Sequence, residues 1–370
     1  MRLLTVVGNR PQFVKAAAVS GPLRERHTEV LVHTGQHYDH ELSQVFFDEL
    51  GLPEPDHHLA LGTGSNTAQT ARMLEALEPL LVSVAPDCVL VYGDTNSTLA
   101  GGLAAAQRRV PVAHVEAGMR SFDRSMPEEL NRVLTDHLST LLLCSSDVGR
   151  ENLEREGVAG AVSVVGDVMV DVAELIQPRA RARTDVLDAH GLRSGEYALV
   201  TAHRAGNVDD PVRLARLVEL LERLDRPVLF PVHPRTRTRL AAAGLADRLA
   251  AAPGVHLAEP LGYLEFTALL CHARVVLTDS GGVQKEAYLA GVPCVTLRPN
   301  TEWVETVESG WNALVDLDVE RALAAVARAV PTQRPPLYGD GRAGERVVDA
   351  LEAALGAPRA DLPGAPAFGL

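Results

Sequence analysis

The sequence has few cysteines, few lysines and no long apolar run. Its four cysteines, Cys88, Cys144, Cys271 and Cys294, lie far apart in or beside apolar segments and form no C-x-x-C pair. Because disulfide frameworks and zinc sites need paired cysteines, we expect buried thiols in a reducing compartment. No apolar run approaches the ~20 residues that a membrane-spanning helix requires, and the N-terminus lacks a signal-peptide pattern. These absences predict a cytoplasmic protein with no membrane partner.

The sequence also lacks a strongly basic region. It carries 48 acidic and 35 basic residues, which gives a formal net charge of −13 over 370 residues. Such a charge repels nucleic acid unless a local basic patch overrides it. The densest basic stretch, residues 179–183, lies beside Pro178 in a predicted linker and is interpreted as solvated surface. We therefore expect no nucleic-acid partner. Lys15 and Lys285 are the two lysines of the chain.

The sequence does contain a regular alternation of short apolar runs and amphipathic helical segments. In the first half, it predicts helices over 14–26, 67–84, 98–109 and 128–139, and strands over 3–7, 29–33, 88–92, 112–115, 141–144 and 162–165. The pattern weakens across 177–196 and resumes with strands over 197–201, 227–232, 255–257, 275–278 and 294–297. Apolar strands that alternate with helices indicate parallel sheets covered on both faces. The predicted fold class is α/β, with two Rossmann-like doubly wound domains facing a cleft.

The predicted domain boundaries follow from this alternation. Residues 1–176 form an N-terminal Rossmann-like domain, residues 190–346 form a C-terminal one, and residues 347–370 form a helix end and a loose tail. Ligands of open parallel sheets bind beyond the carboxyl ends of the strands. Candidate site residues are therefore those that directly follow a strand.

The turn after the first strand places two cations near a helix N-terminus. Gly8 allows a tight turn, and Pro11 suits the first turn of a helix. Arg10 and Lys15 then lie where the helix dipole already favours anions. We interpret this turn as a phosphate clamp. An ordinary strand-to-helix turn with surface cations is the alternative.

Three carboxylates follow the next strands. Asp94 comes directly after a strand, Glu116 ends the following one, and Glu128 lies in the first turn of a predicted helix. Asp94 has an alternative role as a helix cap, and Glu128 has one in a favourable interaction with the helix dipole. Neither structural role fits Glu116. Three acids at one sheet edge would raise one another's pKa by repulsion, which suits general acid and base catalysis.

The second half supplies groups that bind anions. His203 and His233 each follow a strand and are each trailed by an arginine, although a lone histidine often has only a structural role. The S-G-G turn at 280–282 opens a helix whose bare backbone N–H groups suit a diphosphate, and Glu286 suits a ribose hydroxyl. A tight turn that needs a positive φ is the alternative for the two glycines.

A histidine-rich stretch at residues 33–41 raises a metal hypothesis. His37 and His40 lie one turn apart, and nearby acids have ligand chemistry. No cysteine or further histidine follows at helical spacing. We therefore favour a polar loop and expect no metal.

Taken together, these turns resemble the non-hydrolysing UDP-N-acetylglucosamine 2-epimerases over residues 2–346. The matching motifs are G-N-R-P-Q-F-V-K, T-G-Q-H-Y-D, V-Y-G-D-T-N-S-T-L-A, H-V-E-A-G, M-P-E-E-L-N-R, T-A-H-R and L-T-D-S-G-G-V-Q-K-E-A. The resemblance implies the GT-B arrangement, UDP binding by residues 190–346, a homodimer, and no metal or nicotinamide cofactor. It also implies interconversion of UDP-GlcNAc and UDP-ManNAc. UDP would leave to give a 2-acetamidoglucal and would return after protonation of the opposite face.

The resemblance also implies a role for each matching residue. The catalytic residues would be three carboxylates and the group assisting UDP departure: Asp94, Glu116, Glu128 and His203. The substrate-binding residues would be Arg10, Lys15, His233, Phe266, Ser280, Gly281, Gly282 and Glu286. Bacterial members have a pocket for a second, activating nucleotide sugar, and the residues that match it are Gln36, His37, Arg72 and His233. Asp39 stands where that pocket has a glutamine.

Two departures from the family pattern concern the substrate. Trp303 stands where many members have an arginine after T-T-E. The motifs T-G-Q-H-Y-D, H-R-A-G-N and N-T-E-W-V-E resemble those of the sub-branch that includes UDP-2,3-diacetamido-2,3-dideoxyglucuronic acid 2-epimerases. That nucleotide is therefore the alternative substrate. Alternatives of another class are a GT-B glycosyltransferase, a sugar-nucleotide sensor and a hydrolysing variant, since fold alone does not separate them.

Overall fold

The computed structural model describes residues 1–36 and 51–356, apart from the side chain of Arg10. Its contacts divide the chain into two compact units. The first unit comprises residues 1–36, 51–171 and 338–356, and the second comprises residues 172–337. Each unit has its own parallel sheet with helices connecting the strands. The predicted α/β class, with two doubly wound Rossmann-like domains, is confirmed.

The first unit is built on a seven-stranded sheet with the order β3-β2-β1-β4-β5-β6-β7. Its strands are β1 (Arg2–Val7), β2 (Thr28–His33), β3 (His57–His58), β4 (Cys88–Tyr92), β5 (Val112–Ala117), β6 (Leu141–Cys144) and β7 (Ala161–Val164). The helices described between them are α1 (Arg10–Arg26), α2 (Asn66–Val84), α3 (Asn96–Gln107), α4 (Pro127–Leu138) and α5 (Asp147–Glu156). The chain then passes to the second unit within α6 (Val168–Arg181).

The second unit is built on a six-stranded sheet with the order β10-β9-β8-β11-β12-β13. Its strands are β8 (Ala198–Thr201), β9 (Val228–Pro231), β10 (Val255–Ala258), β11 (Val275–Thr278), β12 (Cys294–Thr296) and β13 (Asn312–Leu314). Its helices are α7 (Asp185–Ala189), α8 (Ala205–Val208), α9 (Pro211–Glu222), α10 (Pro234–Ala242), α11 (Ala246–Ala250), α12 (Tyr263–His272), α13 (Gly281–Ala290), α14 (Val304–Glu308) and α15 (Val319–Ala327). The last described helix, α16 (Ala343–Leu355), belongs to the first unit.

Both sheets reverse their strand order at an internal point. In the first unit this point lies between β1 and β4, where Val6 pairs with Val91. In the second unit it lies between β8 and β11, where Thr201 pairs with Thr278. Open parallel sheets bind ligands outside the carboxyl ends of the strands at such a switch point. The segments that follow these four strands are therefore where a site is expected.

The apolar runs of the sequence form the strands because both faces of each sheet are buried. Leu4, Val6, Val89 and Val91 are each 0–1% exposed and pack in a cluster with Met73 of α2. A strand covered on both faces needs apolar residues at every position, which explains why the strand predictions were accurate. Two short strands, β3 and β13, were not predicted, since they offer two and three residues and no continuous apolar run.

Two segments differ from the sequence prediction. Half of the predicted linker at 177–196 is helical, because α6 continues to Arg181 and α7 follows it. Residues 338–346 were predicted to belong to the C-terminal domain, whereas the structure groups them with the first unit. The reason is that α16 packs on α1. Arg26 pairs with Asp349 and Glu352, and Asp171 accepts hydrogen bonds from Ala343 N at 3.1 Å and Gly344 N at 2.8 Å. The predicted tail from 357 onward lies outside the described residues.

Among the described residues, none of the helices is both long enough and apolar enough to cross a membrane.

Candidate active site

Two of the predicted catalytic carboxylates each pair with a cation in the first unit. Asp94 follows β4 and Glu116 lies in the neighbouring β5, since Tyr92 pairs with Val115 in the sheet. The Asp94 carboxylate accepts a hydrogen bond from the buried Arg132 of α4. Glu116, which is 8% exposed, forms an ion pair with Lys15 of α1. Each of these two acids therefore lies against a cation, and the like-charge cluster expected from the sequence stays a prediction.

Glu116 has a strained backbone. Its φ is +73°, and the pairing of β5 with β6 shifts register between Val115 and Ala117. A left-handed conformation at a residue other than glycine costs about 1–3 kcal/mol and persists only where the surrounding structure enforces it. A β-bulge re-aims the side chain that it carries. The end of β5 is therefore shaped to direct one carboxylate.

Gly93 lies beside this ion pair. It has a φ of +63°, and a Cβ built on it would lie 3.1 Å from Lys15 Nζ and 3.3 Å from Glu116 Oε2. A larger residue would be strained at that φ and would press on both charged groups. The glycine before Asp94 thus lets the turn after β4 approach the Lys15–Glu116 pair.

A buried histidine–aspartate pair, which was not predicted from the sequence, supports these turns. His114 Nε2 is 2.7 Å from the carbonyl oxygen of Gly93, and His114 Nδ1 is 2.7 Å from Asp136 Oδ1. Both side chains are fully buried. The ring of His114 therefore joins the carbonyl of the turn after β4 to a carboxylate of α4.

Asp136 links this pair to the turn that follows Glu116. It accepts hydrogen bonds from Gly118 N at 3.1 Å and from Arg120 Nη1 at 2.7 Å. Burial alone would raise the pKa of Asp136, but His114 and Arg120 hold that pKa below its usual value. Asp136 therefore supports two turns. It holds the Gly93–Asp94 turn through His114, and it binds the turn after Glu116 directly.

Helix α4 carries three charged residues at helical spacing. Glu128, Arg132 and Asp136 recur every four residues and so share one face of the helix. Arg132 binds Asp94, Asp136 binds His114, and Glu128 is half-buried in the first turn. This spacing was the signal in the sequence that could have identified Arg132 and Asp136.

The predicted phosphate clamp at the start of α1 has a different arrangement. Arg10 is the first residue of α1, but its side chain lies outside the described part of the chain. Lys15 contacts the Glu116 carboxylate. Gln12 joins the turns after β1 and β4, since its amide accepts from Gly8 N at 2.8 Å and donates to Tyr92 O at 2.8 Å. The role of Arg10 and Lys15 toward a phosphate stays a prediction.

The residues of the predicted activating pocket have separate partners. Gln36 Oε1 accepts from Ser97 N at 3.0 Å and Ser97 Oγ at 2.7 Å. The guanidinium of Arg72 donates to the carbonyl oxygens of Thr63 and Leu61, at 3.5 Å for the second. His37 lies outside the described residues. A second nucleotide-sugar pocket stays a prediction.

In the second unit, the two predicted histidines stack on each other. His203 follows β8 and is 40% exposed, and His233 is the N-cap of α10. Their ring centroids are 5.2 Å apart with an interplanar angle of 29°. The carboxyl ends of the adjacent strands β8 and β9 therefore present a pair of imidazoles.

Asp279, which lies in the L-T-D-S-G-G motif and has no role predicted from the sequence, anchors the segment that carries His203. It is fully buried directly after β11. Its carboxylate accepts from the backbone N of His203 at 3.1 and 3.0 Å, from Arg204 N at 3.0 Å and from Asn207 Nδ2 at 3.1 Å. Because β8 and β11 are adjacent, this residue lies beside His203 although 76 positions separate them.

The S-G-G turn forms the N-terminus of α13. Ser280 is the N-cap, and Gly281 and Gly282 are the first helical residues. Neither glycine has a positive φ, so the turn interpretation of these glycines is wrong. A Cβ on Gly281 would lie 3.0 Å from Glu302 Oε1, and Gly282 is exposed. The glycines therefore keep the helix N-terminus open, where backbone N–H groups and the helix dipole favour an anion.

Trp303 packs against the base of this turn. Its Nε1 donates to the carbonyl oxygen of Gly281 at 2.9 Å, and Lys285 Nζ lies 3.9 Å from the centroid of its ring. Trp303 and Lys285 are 5% and 2% exposed. Trp303 thus has a structural contact with the turn and a cation–π contact with Lys285. The two remaining predicted residues, Glu286 in α13 and Phe266 in α12, are half-buried.

Within residues 1–36 and 51–356, no group of three histidine, cysteine or acidic residues is placed to hold a metal ion. His37 and His40, on which the metal hypothesis rested, lie outside that part of the chain.

Comparison with known proteins gives consistent matches over nearly the whole chain. A family model described as UDP-N-acetylglucosamine 2-epimerase matches residues 23–352. A UDP-N-acetylglucosamine 2-epimerase homolog of Methanococcus maripaludis is 45% identical over 354 residues, covering 95% of this chain and 99% of that protein. The UDP-2,3-diacetamido-2,3-dideoxy-D-glucuronate 2-epimerase of Pseudomonas aeruginosa is 46% identical over 363 residues, covering 95% and 99%. The crystal structure of Methanocaldococcus jannaschii UDP-GlcNAc 2-epimerase in complex with UDP-GlcNAc and UDP matches with a TM-score of 0.89 and 42% identity, covering 95% and 100%.

Proposed function

The chain belongs to the UDP-N-acetylglucosamine 2-epimerase family, and from this premise we propose that it is an isomerase that inverts C2 of a UDP-2-acetamido sugar. The observation that carries the proposal is the pair of carboxylates at neighbouring strand ends. Asp94 lies against Arg132, and Glu116 lies against Lys15. Inversion of a C–H centre needs one group that removes a proton from one face and one that delivers a proton to the other. Two separately held carboxylates meet that requirement.

The chemistry also requires a leaving group to depart. The C2 proton has no adjacent carbonyl, so removing it alone would leave an unstabilised carbanion. In the proposed route, a carboxylate takes the C2 proton while the C1–O bond breaks. The bonding electrons leave with the β-phosphate oxygen, and a C1=C2 double bond forms a 2-acetamidoglucal. Protonation of C2 on the opposite face and return of UDP to C1 complete the inversion.

The second unit supplies the groups suited to the departing diphosphate. The open N-terminus of α13 offers backbone N–H groups, and the His203–His233 pair offers ring N–H donors. Donors aimed at developing negative charge stabilise the transition state, and loss of one typically costs about 10²–10³-fold in rate. A glycosyltransferase would use the same donors but would leave the paired acids of the first unit without a role.

We take UDP-GlcNAc as the first substrate to test and the UDP-2,3-diacetamido uronic acid as the second. The relatives named for these two nucleotides are similarly close, at 45% and 46% identity. Trp303 is buried where the family pattern has an arginine. This departure is the reason to test the second nucleotide as well. Each nucleotide would be incubated with the protein alone, and products would be identified by proton NMR.

Formation of the manno isomer from one nucleotide supports the proposal and identifies the substrate. Glu116→Gln and Asp94→Asn should each abolish that product, because each removes a proton-transferring carboxylate. UDP binding, measured by calorimetry, should persist in both variants. Product formation by both variants at the wild-type rate would contradict the proposal. UDP release that depends on an added acceptor would identify a glycosyltransferase instead.

We also propose that the protein is a homodimer, as the family resemblance implies. Leu130 and Leu134 lie one turn apart on α4 and are 45% and 50% exposed, which gives this helix an apolar surface suited to a second copy. Sedimentation equilibrium would show a dimer in the wild type and a weakened dimer in a Leu130→Glu/Leu134→Glu variant. A monomeric wild type would contradict this proposal.

A further inference from the structure

We propose that Glu129 and Arg132 form a positioning pair that fixes the Asp94 carboxylate for proton transfer at C2. The inference rests on the proposed epimerase function and adds how one of its two carboxylates is held in place. It is carried by contacts between the M-P-E-E-L-N-R segment at the start of α4 and the turn after β4. Glu128 is the one residue of that segment with a role predicted from the sequence.

Arg132 lies between two carboxylates. Its Nη2 donates to Oδ2 of Asp94, and its Nη1 donates to Oε2 of Glu129 at 2.8 Å. The side chains of Arg132 and Glu129 are each 3% exposed, whereas that of Asp94 is 31% exposed. Because a guanidinium is planar and presents its donors in a fixed fork, holding one arm also orients the other. The buried Glu129 therefore sets the orientation in which Arg132 meets the more open Asp94.

Glu129 is itself held by the loop that follows β5. Its Oε2 accepts from N and Oγ of Ser121, each at 2.9 Å, and its Oε1 accepts from Phe122 N at 3.0 Å. Burial alone would raise the pKa of Glu129, but the Ser121 hydrogen bonds and the charge of Arg132 hold that pKa below its usual value. Glu129 is thus a charged group with a fixed orientation.

The neighbouring residue of α4 fixes the main chain of Asp94. Asn131, which is 7% exposed, donates from Nδ2 to the carbonyl oxygen of Asp94 at 3.0 Å. Helix α4 therefore binds Asp94 at two points, the main chain through Asn131 and the carboxylate through Arg132. The N-cap of α3 is Thr95 and not Asp94, so the alternative role of this carboxylate as a helix cap is not the one that the structure shows.

This arrangement matters because proton transfer depends on position. The heavy atoms that exchange a proton must lie within about 2.6–3.2 Å of each other, and a misplacement of about 1 Å can cost about 10²-fold in rate. In the proposed inversion, a proton moves between C2 and the Asp94 carboxylate on one face of the sugar. Arg132 and Glu129 neither gain nor lose a proton in that step. Their contribution is to keep the carboxylate in one orientation.

The first test compares Glu129→Gln with Ser121→Ala and Glu156→Gln in the full-length chain. Glu129→Gln removes the charge that holds Arg132 and keeps the size of the side chain. Ser121→Ala removes one donor of the loop and leaves the Arg132 contact in place. Glu156→Gln removes a carboxylate from another buried arginine of the same unit, Arg120, and is the matched control.

We expect kcat to fall by about 10²-fold in Glu129→Gln, with KM and the UDP dissociation constant little changed, because the residue acts through Asp94 and not on the nucleotide. We expect kcat to fall by less than about threefold in Ser121→Ala and Glu156→Gln. Wild-type kcat in Glu129→Gln would overturn the proposal. An equal fall in Ser121→Ala would also overturn it, since loosening of the loop would then explain the loss.

The isotope effect at C2 separates a misplaced carboxylate from a partly unfolded protein. A smaller folded fraction lowers the rate without changing the primary deuterium isotope effect, whereas slower proton transfer raises that effect. Arg132→Lys keeps the positive charge but loses the planar fork that reaches both carboxylates. With 2-deuterated forms of both epimers, we expect this variant to raise the isotope effect for one epimer more than for the other, because Asp94 serves one face of C2. An isotope effect unchanged from the wild type for both epimers would overturn the proposal.

A further measurement does not depend on turnover. Nitrogen-15 NMR of arginine-labelled protein, with the Arg132 signals assigned by Arg132→Lys, reports whether this guanidinium rotates. We expect separate Nη signals in the wild type and in Ser121→Ala, and merged Nη signals in Glu129→Gln. An Arg132 guanidinium that stays fixed in Glu129→Gln would overturn the proposal. Failure of the wild type to epimerise either nucleotide would count against the proposed function, whereas the arginine signals report on the contact between Glu129 and Arg132 by themselves.

Discussion

Lys15 of α1 and Glu116 of β5 form an ion pair between residues 101 positions apart. Glu116 reaches Lys15 from a left-handed backbone conformation at a bulge in its strand. The strained backbone at Glu116 and the lysine at position 15 thus both contribute to this ion pair. In the proposed mechanism, Lys15 keeps one carboxylate in place and compensates its charge.

Removing the cation of this pair should impair catalysis. In Lys15→Met, we expect the rate to fall by about 10²–10³-fold, as on loss of a single electrostatic group in an active site. Weaker UDP binding by this variant would show the predicted contact of Lys15 with a phosphate as well. Steady-state kinetics and calorimetry with UDP test these expectations. Arg150→Gln removes an exposed cation that pairs with Asp147 and Glu154 on α5 and is the matched control. Equal activities of the two variants would contradict the role of Lys15.

The buried ion pair of Asp136 with Arg120, together with the contact between Asp136 and His114, should contribute strongly to stability. Removing one partner of a buried ion pair leaves an uncompensated charge and costs about 3–5 kcal/mol. We therefore expect Asp136→Asn to lower the free energy of unfolding by that amount in urea denaturation at pH 7. Asp147→Asn, which alters an exposed pair on α5, should change it by less than about 0.5 kcal/mol. Comparable losses in the two variants would show that the buried pair is dispensable.

His33 should make stability depend on pH. It is buried against Phe13 and His58, and burial, with a smaller effect of His58, lowers the pKa of His33 to about 4. Below an unfolded-state pKa near 6.5, the unfolded chain takes up a proton that the folded chain does not. This histidine therefore reduces stability progressively from about pH 6.5 down to about pH 4. His33→Phe should flatten this part of the profile in urea denaturation at pH 7, 6 and 5. An unchanged slope would contradict the assignment.

Trp303 should support nucleotide binding through the α13 turn. Trp303→Phe keeps an aromatic ring beside Lys285 but removes the donor to the Gly281 carbonyl. A lost hydrogen bond of this kind is worth about 1 kcal/mol of stability, so we expect the looser turn to weaken the UDP complex by up to roughly fivefold. Calorimetry with UDP measures it, and Trp311→Phe, which removes a donor to the Gln333 carbonyl, is the control. An unchanged UDP affinity in Trp303→Phe would show that this residue does not support nucleotide binding.

The sheets were predictable from the sequence, and the supporting residues of the site were not. Strands such as β4 and β11 are apolar throughout because they are buried on both faces, so their ranges were predicted correctly. Asp279 and His114 gave no comparable signal. Their roles depend on β8 lying beside β11 and on β5 lying beside β4, which are contacts between distant segments. A single sequence shows which residues follow a strand but not which neighbouring turn they support.

The most direct test of the account is proton NMR of the purified protein with UDP-GlcNAc in D₂O, followed by the same experiment with the UDP-2,3-diacetamido uronic acid. We predict that one of the two nucleotides is converted to its manno isomer and that deuterium from the solvent enters C2. Formation of the manno isomer with the original C2 proton fully retained would contradict proton exchange through Glu116 and Asp94. Release of UDP and free sugar as the final products, or no reaction with either nucleotide, would contradict the epimerase assignment itself.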